Sequence, residues 1–258
     1  MTALVHQCRL FFIALQFFTR LPIPRWVGFE QTWLHHASRY FPLVGIVVGA
    51  VAAAVYLAAS AIWSHPVAAL LSTAAGIYLT GAFHEDGFAD TCDGFGGGLT
   101  RERVMEIMKD SRIGTYGAVG AGLLLALKVT LLAMLAPALA VAALFIAHPL
   151  SRLAASSLIW KLRYAREEGK AKPMAQEMSG AEFSIGAACA AIPLVAAGVL
   201  GYFPWPQLGL CILAAAGVAV WLGAKFIGRI GGYTGDCLGA VQQVSEVSIY
   251  LCLLASVS

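Results

Sequence analysis

Phe41-Pro42-Leu43-Val44-Gly45-Ile46-Val47-Val48-Gly49-Ala50-Val51-Ala52-Ala53-Ala54-Val55-Tyr56-Leu57-Ala58-Ala59-Ser60-Ala61-Ile62-Trp63 contains no Asp, Glu, Lys, Arg or His. About 20 consecutive apolar residues are needed to cross the hydrocarbon core of a bilayer as a helix, and this run supplies them. The same signature recurs along the 258-residue chain, which is 59% hydrophobic and only 12% charged. A soluble domain carries about 25% charged residues. The pattern predicts an all-α, polytopic membrane helix bundle with about seven spans, near 41–63, 66–83, 115–135, 137–160, 185–203, 206–228 and 240–257. Pro66, Pro137, Pro204 and Pro206 fall at the joints, where proline suits a helix start. Residues 9–21 are apolar but short and flanked by Arg9, Arg20 and Arg25, which predicts an interfacial or re-entrant helix. With no repeat or polar linker, residues 1–258 read as one membrane-embedded domain.

The basic residues fix the expected orientation. Arg9, Arg20, Arg25 and Arg39 precede the first span. Arg101, Arg103, Lys109 and Arg112 lie in 84–114; Lys161, Arg163, Arg166, Lys170 and Lys172 lie in 161–184; Lys225 and Arg229 flank 229–239. The alternate joints, at Ser64-His65, Ala136 and Pro204-Trp205, carry no Lys or Arg. The positive-inside rule then puts every charged segment in the cytoplasm of a bacterial or archaeal inner membrane, and the working parts with them. The net charge of +3 follows from this topology and gives no reason to expect nucleic acid. The six cysteines form no CxxC pair, so neither disulfides nor a zinc site are expected.

The chemistry is concentrated after the second apolar run, in His84-Glu85-Asp86-Gly87-Phe88-Ala89-Asp90-Thr91-Cys92-Asp93-Gly94. Asp86, Asp90 and Asp93 are spaced i, i+4, i+7 and fall within about 60° of one another on a helix. Like charges that close need a shared proton or a cation. Glu85, Asp86, Asp90 and Asp93 therefore read as ligands of Mg²⁺ or Mn²⁺, with Asp110 as a further one, and with phosphate as the group acted upon. Asp86, Asp90 and Asp93 are the candidate catalytic residues, and His84 adjoins them. Lys109, Ser111 and Arg112 can donate to phosphate oxygens. Arg152, inside a span, calls for a carboxylate or phosphate partner. The Gly-rich turn 231–235, with Thr234 and Asp236, can cradle an anion. Gln242, Gln243 and Glu246 follow at helical spacing, and Lys128 snorkels or pairs.

Four blocks together carry a resemblance: Phe17-Phe18-Thr19-Arg20-Leu21-Pro22-Ile23-Pro24, His84-Glu85-Asp86-Gly87-x-x-Asp90-x-x-Asp93-Gly94, Met108-Lys109-Asp110-Ser111-Arg112-x-Gly114-Thr115-x-Gly117, and Gly231-Gly232-x-Thr234-Gly235-Asp236. In this order the chain resembles the adenosylcobinamide-GDP ribazoletransferase, or cobalamin synthase, family. The resemblance implies an integral membrane transferase of cobalamin biosynthesis with Mg²⁺ as cofactor. It would join an activated corrinoid to α-ribazole or its 5′-phosphate and release GMP. Its partners would be these small molecules and membrane lipid; homo-oligomerisation is left open. The resemblance places His84, Lys109, Ser111, Arg112, Arg152, Thr234 and Asp236 at the substrate. The alternative is a CDP-alcohol phosphotransferase-like membrane enzyme, although Asp90 stands where that family's Ala-Arg would follow Asp86-Gly87.

Overall fold

The computed structural model describes residues 3–165 and 177–255. Eleven α-helices are formed among them: α1 Ala3–Phe18, α2 Gln31–Ala37, α3 Phe41–Ser60, α4 His65–Thr80, α5 Phe83–Gly97, α6 Arg101–Ile107, α7 Thr115–Met134, α8 Pro137–Lys161, α9 Gly180–Val199, α10 Trp205–Ile230 and α11 Gly235–Leu254. The one β-type pairing among the described residues is an isolated bridge between Tyr164 and Tyr233. Six helical segments are long and apolar enough to span a bilayer, and the α4–α5 pair brings the number to seven if taken as one broken span. The polytopic helix bundle expected from the apolar runs is thus the architecture found.

α8 and α11 form the centre. α8 is buried along most of its length, from Ala140 to Ile159, and α11 from Cys237 to Leu253. Small residues let the central helices touch. A Cβ on Gly45 of α3 would sit 2.6 Å from the His148 carbonyl oxygen of α8. Without a hydrophobic force between helices in lipid, such close backbone approach is a main source of association. α7, α9 and α10 turn broad apolar faces outward, including Leu123, Ile192, Leu213 and Val220.

Three expected boundaries shift, each for a local reason. α9 starts at Gly180 rather than near 185, because Ser179 and Glu182 form a reciprocal capping box. α11 starts at Gly235 rather than near 240, because the Thr234 hydroxyl accepts from the Cys237 amide. The third shift matters most. The second apolar run does not continue straight into the acidic segment. Gly81 closes α4 in the left-handed region at φ 66°, Ala82 follows at φ 59°, and α5 leaves at 89° to α4. Arg20 packs on this corner: its amide donates to the Leu79 carbonyl at 2.9 Å, and its guanidinium lies 5.0 Å from the Tyr78 ring. The Thr19-Arg20 block therefore braces the bend that redirects the acidic helix.

The basic segments converge on one end of the bundle. Arg101 donates to the Ala165 carbonyl at 3.1 Å, Arg229 to the Gly98 carbonyl, and the Tyr233 amide to the Arg163 carbonyl at 3.0 Å. The segments expected on one membrane face, 84–114, 161–184 and 229–239, thus touch one another. Arg166, Lys170 and Lys172 lie outside the described residues.

Candidate active site

α5 ends at Gly97, as the run Gly96-Gly97-Gly98 suggests, and carries the acids along its length. Asp86 is exposed, Asp90 half-buried and Asp93 buried. α11 crosses α5 at Gly87 and Gly239. A Cβ on Gly87 would lie 2.9 Å from Asp236 Cα, and one on Gly239 would lie 2.9 Å from the His84 carbonyl oxygen. This crossing sets Asp236, in the first turn of α11, beside the stretch of α5 between Asp86 and Asp90. Asp236 also accepts from the Thr234 hydroxyl at 3.3 Å.

Asp93 joins α5 to α7. Its two carboxylate oxygens accept from the Gly114 amide at 2.7 Å and the Gly117 amide at 2.8 Å. Gly114 is the N-cap position of α7, so Asp93 caps that helix from another element and satisfies two of its orphan amides. A Cβ at either glycine would collide with the Asp93 carboxylate. The Gly114-x-x-Gly117 spacing is the landing site for that side chain.

Beyond Asp93 lies an open cleft of about 590 Å³ walled by Arg103, Glu106, Asp110, Arg112, Gly114 and Tyr116. Thr100 caps α6, which carries Arg103, by accepting from the Arg103 amide. Lys109 and Ser111 are exposed on the α6–α7 loop. Asp110 and Arg112 pair in bidentate fashion, with Arg112 Nη2 donating to Asp110 Oδ2 at 2.7 Å and Nε to Oδ1 at 3.0 Å. Hydrogen bonds from the Arg112 side chain, and then from its amide, hold the Asp110 carboxyl down at about 2. Arg103, missed from the sequence, has no signal there beyond its place in a short amphipathic helix.

Glu85 points elsewhere. It accepts from Gln243 Nε2 at 2.9 Å and lines an enclosed cavity with Lys128, His148, Arg152, Gln242 and Glu246. Lys128 Nζ lies 2.7 Å from Glu246 Oε1, with both residues at most 4% exposed. Gln242 donates to Glu246 at 2.7 Å, and the Tyr250 hydroxyl donates to it at 3.0 Å. Arg152 donates to the His148 carbonyl at 2.9 Å. His84 is buried and stacks on Phe18, with ring centroids 5.3 Å apart. Thr234 is fully buried at its capping position. The turn expected to cradle an anion also has a local packing use: Gly232 makes room for the Arg163 carbonyl, and the buried Tyr233 pairs with Tyr164 in the isolated bridge. Among the described residues, no group of three or more His, Cys, Asp or Glu side chains is placed to hold a metal ion. The fold sets Asp236 beside the Asp86–Asp90 stretch at the α5–α11 crossing, ties Asp93 to α7, places Asp110 and Arg112 in the wall of the cleft with Lys109 and Ser111 exposed on the same loop, and turns Glu85 and Arg152 inward.

Residues 10–254 match the family model described as cobalamin-5-phosphate synthase. The chain belongs to this family. Curated relatives agree over their full length. A protein of Leptothrix cholodnii named adenosylcobinamide-GDP ribazoletransferase is 48% identical, with 100% of this chain and 99% of the relative covered. Relatives of the same name from Shewanella frigidimarina and Vibrio cholerae are 47% and 42% identical, over 97% of this chain and 96% and 95% of theirs. No solved structure matches the chain. For this cobalamin-5-phosphate synthase family member, all four blocks that carry the resemblance find a structural place: the α4–α5 corner, the acidic helix, the Asp93-capped start of α7 and the start of α11.

Proposed function

We propose that the chain joins adenosylcobinamide-GDP to α-ribazole or its 5′-phosphate and releases GMP, at the cytoplasmic face of the inner membrane, with Mg²⁺ as cofactor. The observation that carries this reading is the meeting of the α5 acidic face, through Asp93, with a cleft walled by Arg103 and Arg112. Carboxylates and guanidiniums side by side suit a diphosphate and the metal that accompanies it. Mg²⁺ keeps several waters and takes one or two protein carboxylates plus substrate phosphates, so an aligned row of acids fits it without a closed cage. Asp86 and Asp90, one helical turn apart on α5, are the residues that would hold it. When bound, the ion supplies charge neutralisation at the diphosphate and at the leaving oxygen.

The residues of the chain do the rest. Arg103, Lys109 and Arg112 bind the GMP phosphate as it leaves, with Arg112 exchanging Asp110 for phosphate oxygens. The ribazole hydroxyl attacks the phosphorus nearest the cobinamide, and the bond from that phosphorus to the bridging oxygen of GMP breaks. Asp90 takes the hydroxyl proton. Asp93, with both oxygens held by α7 amides, keeps the acidic helix and the basic cleft in register.

The test is GMP release by detergent-purified protein from adenosylcobinamide-GDP plus α-ribazole 5′-phosphate, with Mg²⁺ and with EDTA. Release that needs both substrates and the metal, and that fails in Asp86→Asn, is expected. No release from folded, Mg²⁺-replete protein would overturn the reading, and CDP-alcohols would be the next substrates.

A further inference from the structure

The cavity between α4, α5, α8 and α11 has a volume of about 20 Å³. A buried water needs roughly 10–15 Å³ by this kind of measure and two to four polar partners. Four residues lining the cavity carry a buried polar atom without a protein partner: Thr73 Oγ1, Glu85 Oε2, Arg152 Nε and Gln243 Oε1. Arg152 and Gln243 are 3% and 2% exposed. Each such atom left bare would cost a large part of a hydrogen bond.

The donor inventory selects the occupant. Arg152 Nε can only donate, and the Thr73 hydroxyl can donate. Glu85 Oε2 and Gln243 Oε1 can only accept. Two donors and two acceptors match a water molecule, which accepts twice and donates twice. A metal cation would need oxygen on every side and would meet a guanidinium N–H. We propose that this cavity binds water that links Glu85 on α5 to Arg152 on α8. The two are positioning residues: they anchor the start of the acidic helix through the water and do not touch substrate. The binding part of the proposal is independent of the reaction at the acidic face. The positioning part rests on the proposed activity.

Gly76 of α4 gives a test of opposite signs. It is buried, it lines the cavity, and a Cβ added there meets nothing within 4 Å. In a dry cavity, Gly76→Ala fills space with its single Cβ and raises the thermal unfolding midpoint in detergent. In a hydrated one it crowds out the water, strands the polar atoms and lowers the midpoint by several degrees. Gly76→Ser, whose hydroxyl replaces the lost partner, stays closer to wild type. An Ala variant at or above the wild-type midpoint would overturn the proposal. If the Ala variant does not fold, a high-resolution map of the wild type decides. A peak about 2.7–3.2 Å from at least three of the four atoms is expected, and its absence counts against the water. Replacing Na⁺ by choline should leave the midpoint unmoved; a sodium-dependent rise would reassign the site to a cation. For the positioning role, Glu85→Gln and Arg152→Gln should each lower kcat ~10-fold at unchanged KM, with the double variant no worse than the poorer single. Additive losses, or a rise in KM alone, would remove the positioning role while leaving the water binding to the unfolding data.

Discussion

Two charged regions lie on opposite sides of α5, and they handle charge in opposite ways. On the inner side, Lys128 and Arg152 are matched by Glu246 and Glu85, all shielded within the bundle. Hydrogen bonds from Gln242 and Tyr250 meet the two Glu246 oxygens, and Gln243 meets one oxygen of Glu85. On the outer side, Asp86, Asp90 and Asp93 share one face, Asp236 sits beside them, and the nearest guanidiniums stand across a cleft. The inner charges find most of their partners within the bundle, apart from the atoms that face the small cavity; the outer acids run from the exposed Asp86 to the cleft beside Asp93. Charged residues at membrane depth are functional by default, yet here the deepest ones hold helices together. On the proposed activity, the chemistry belongs to the outer row.

EDTA should abolish GMP release while leaving the unfolding midpoint almost unmoved, because no inner-region partner is a metal ligand; a large fall in midpoint would place the metal in the fold itself. Lys128→Met leaves Glu246 buried without its ammonium partner and should cost about 3–5 kcal/mol of stability, read by thermal or denaturant unfolding. A loss of activity with no loss of stability would move Lys128 to the outer region's account. Asp86→Asn should lower kcat about 100-fold, roughly 2.7 kcal/mol, in a protein as stable as wild type. Gly117→Ala forces its Cβ against Asp93 and should cost about 1–3 kcal/mol of stability, with a fall in activity as α5 and α7 lose register. Arg112→Lys keeps the charge but not the fork, and should raise KM for the activated corrinoid about tenfold, with kcat nearly unchanged.

The helices were legible because apolar runs of span length admit few other readings. The acidic face was legible because i, i+4, i+7 spacing is geometry. The α4–α5 corner was not, since nothing in the type of Ala82 announces a left-handed backbone; the corner is held by Arg20, far away in sequence. Glu85 could be grouped with its neighbours by proximity in the chain, but one helical residue turns a side chain by about 100° and delivers it to Gln243. The glycines of 231–235 suggested an anion cradle; that Gly232 also makes room for the Arg163 carbonyl, some seventy residues away, could not be read locally.

The right angle between α4 and α5 has a consequence for traffic. With α4 along the membrane normal, α5 lies flat as a ledge about 22 Å long, from its 15 residues at 1.5 Å each. The ledge is exposed at its Asp86 end, and its far part borders the cleft that holds Arg112. On the proposed activity, the activated corrinoid would lie with its diphosphate toward the Arg112 cleft, and the acceptor would come in at the Asp86 end. The two then meet side by side at the surface, and neither has to thread the bundle.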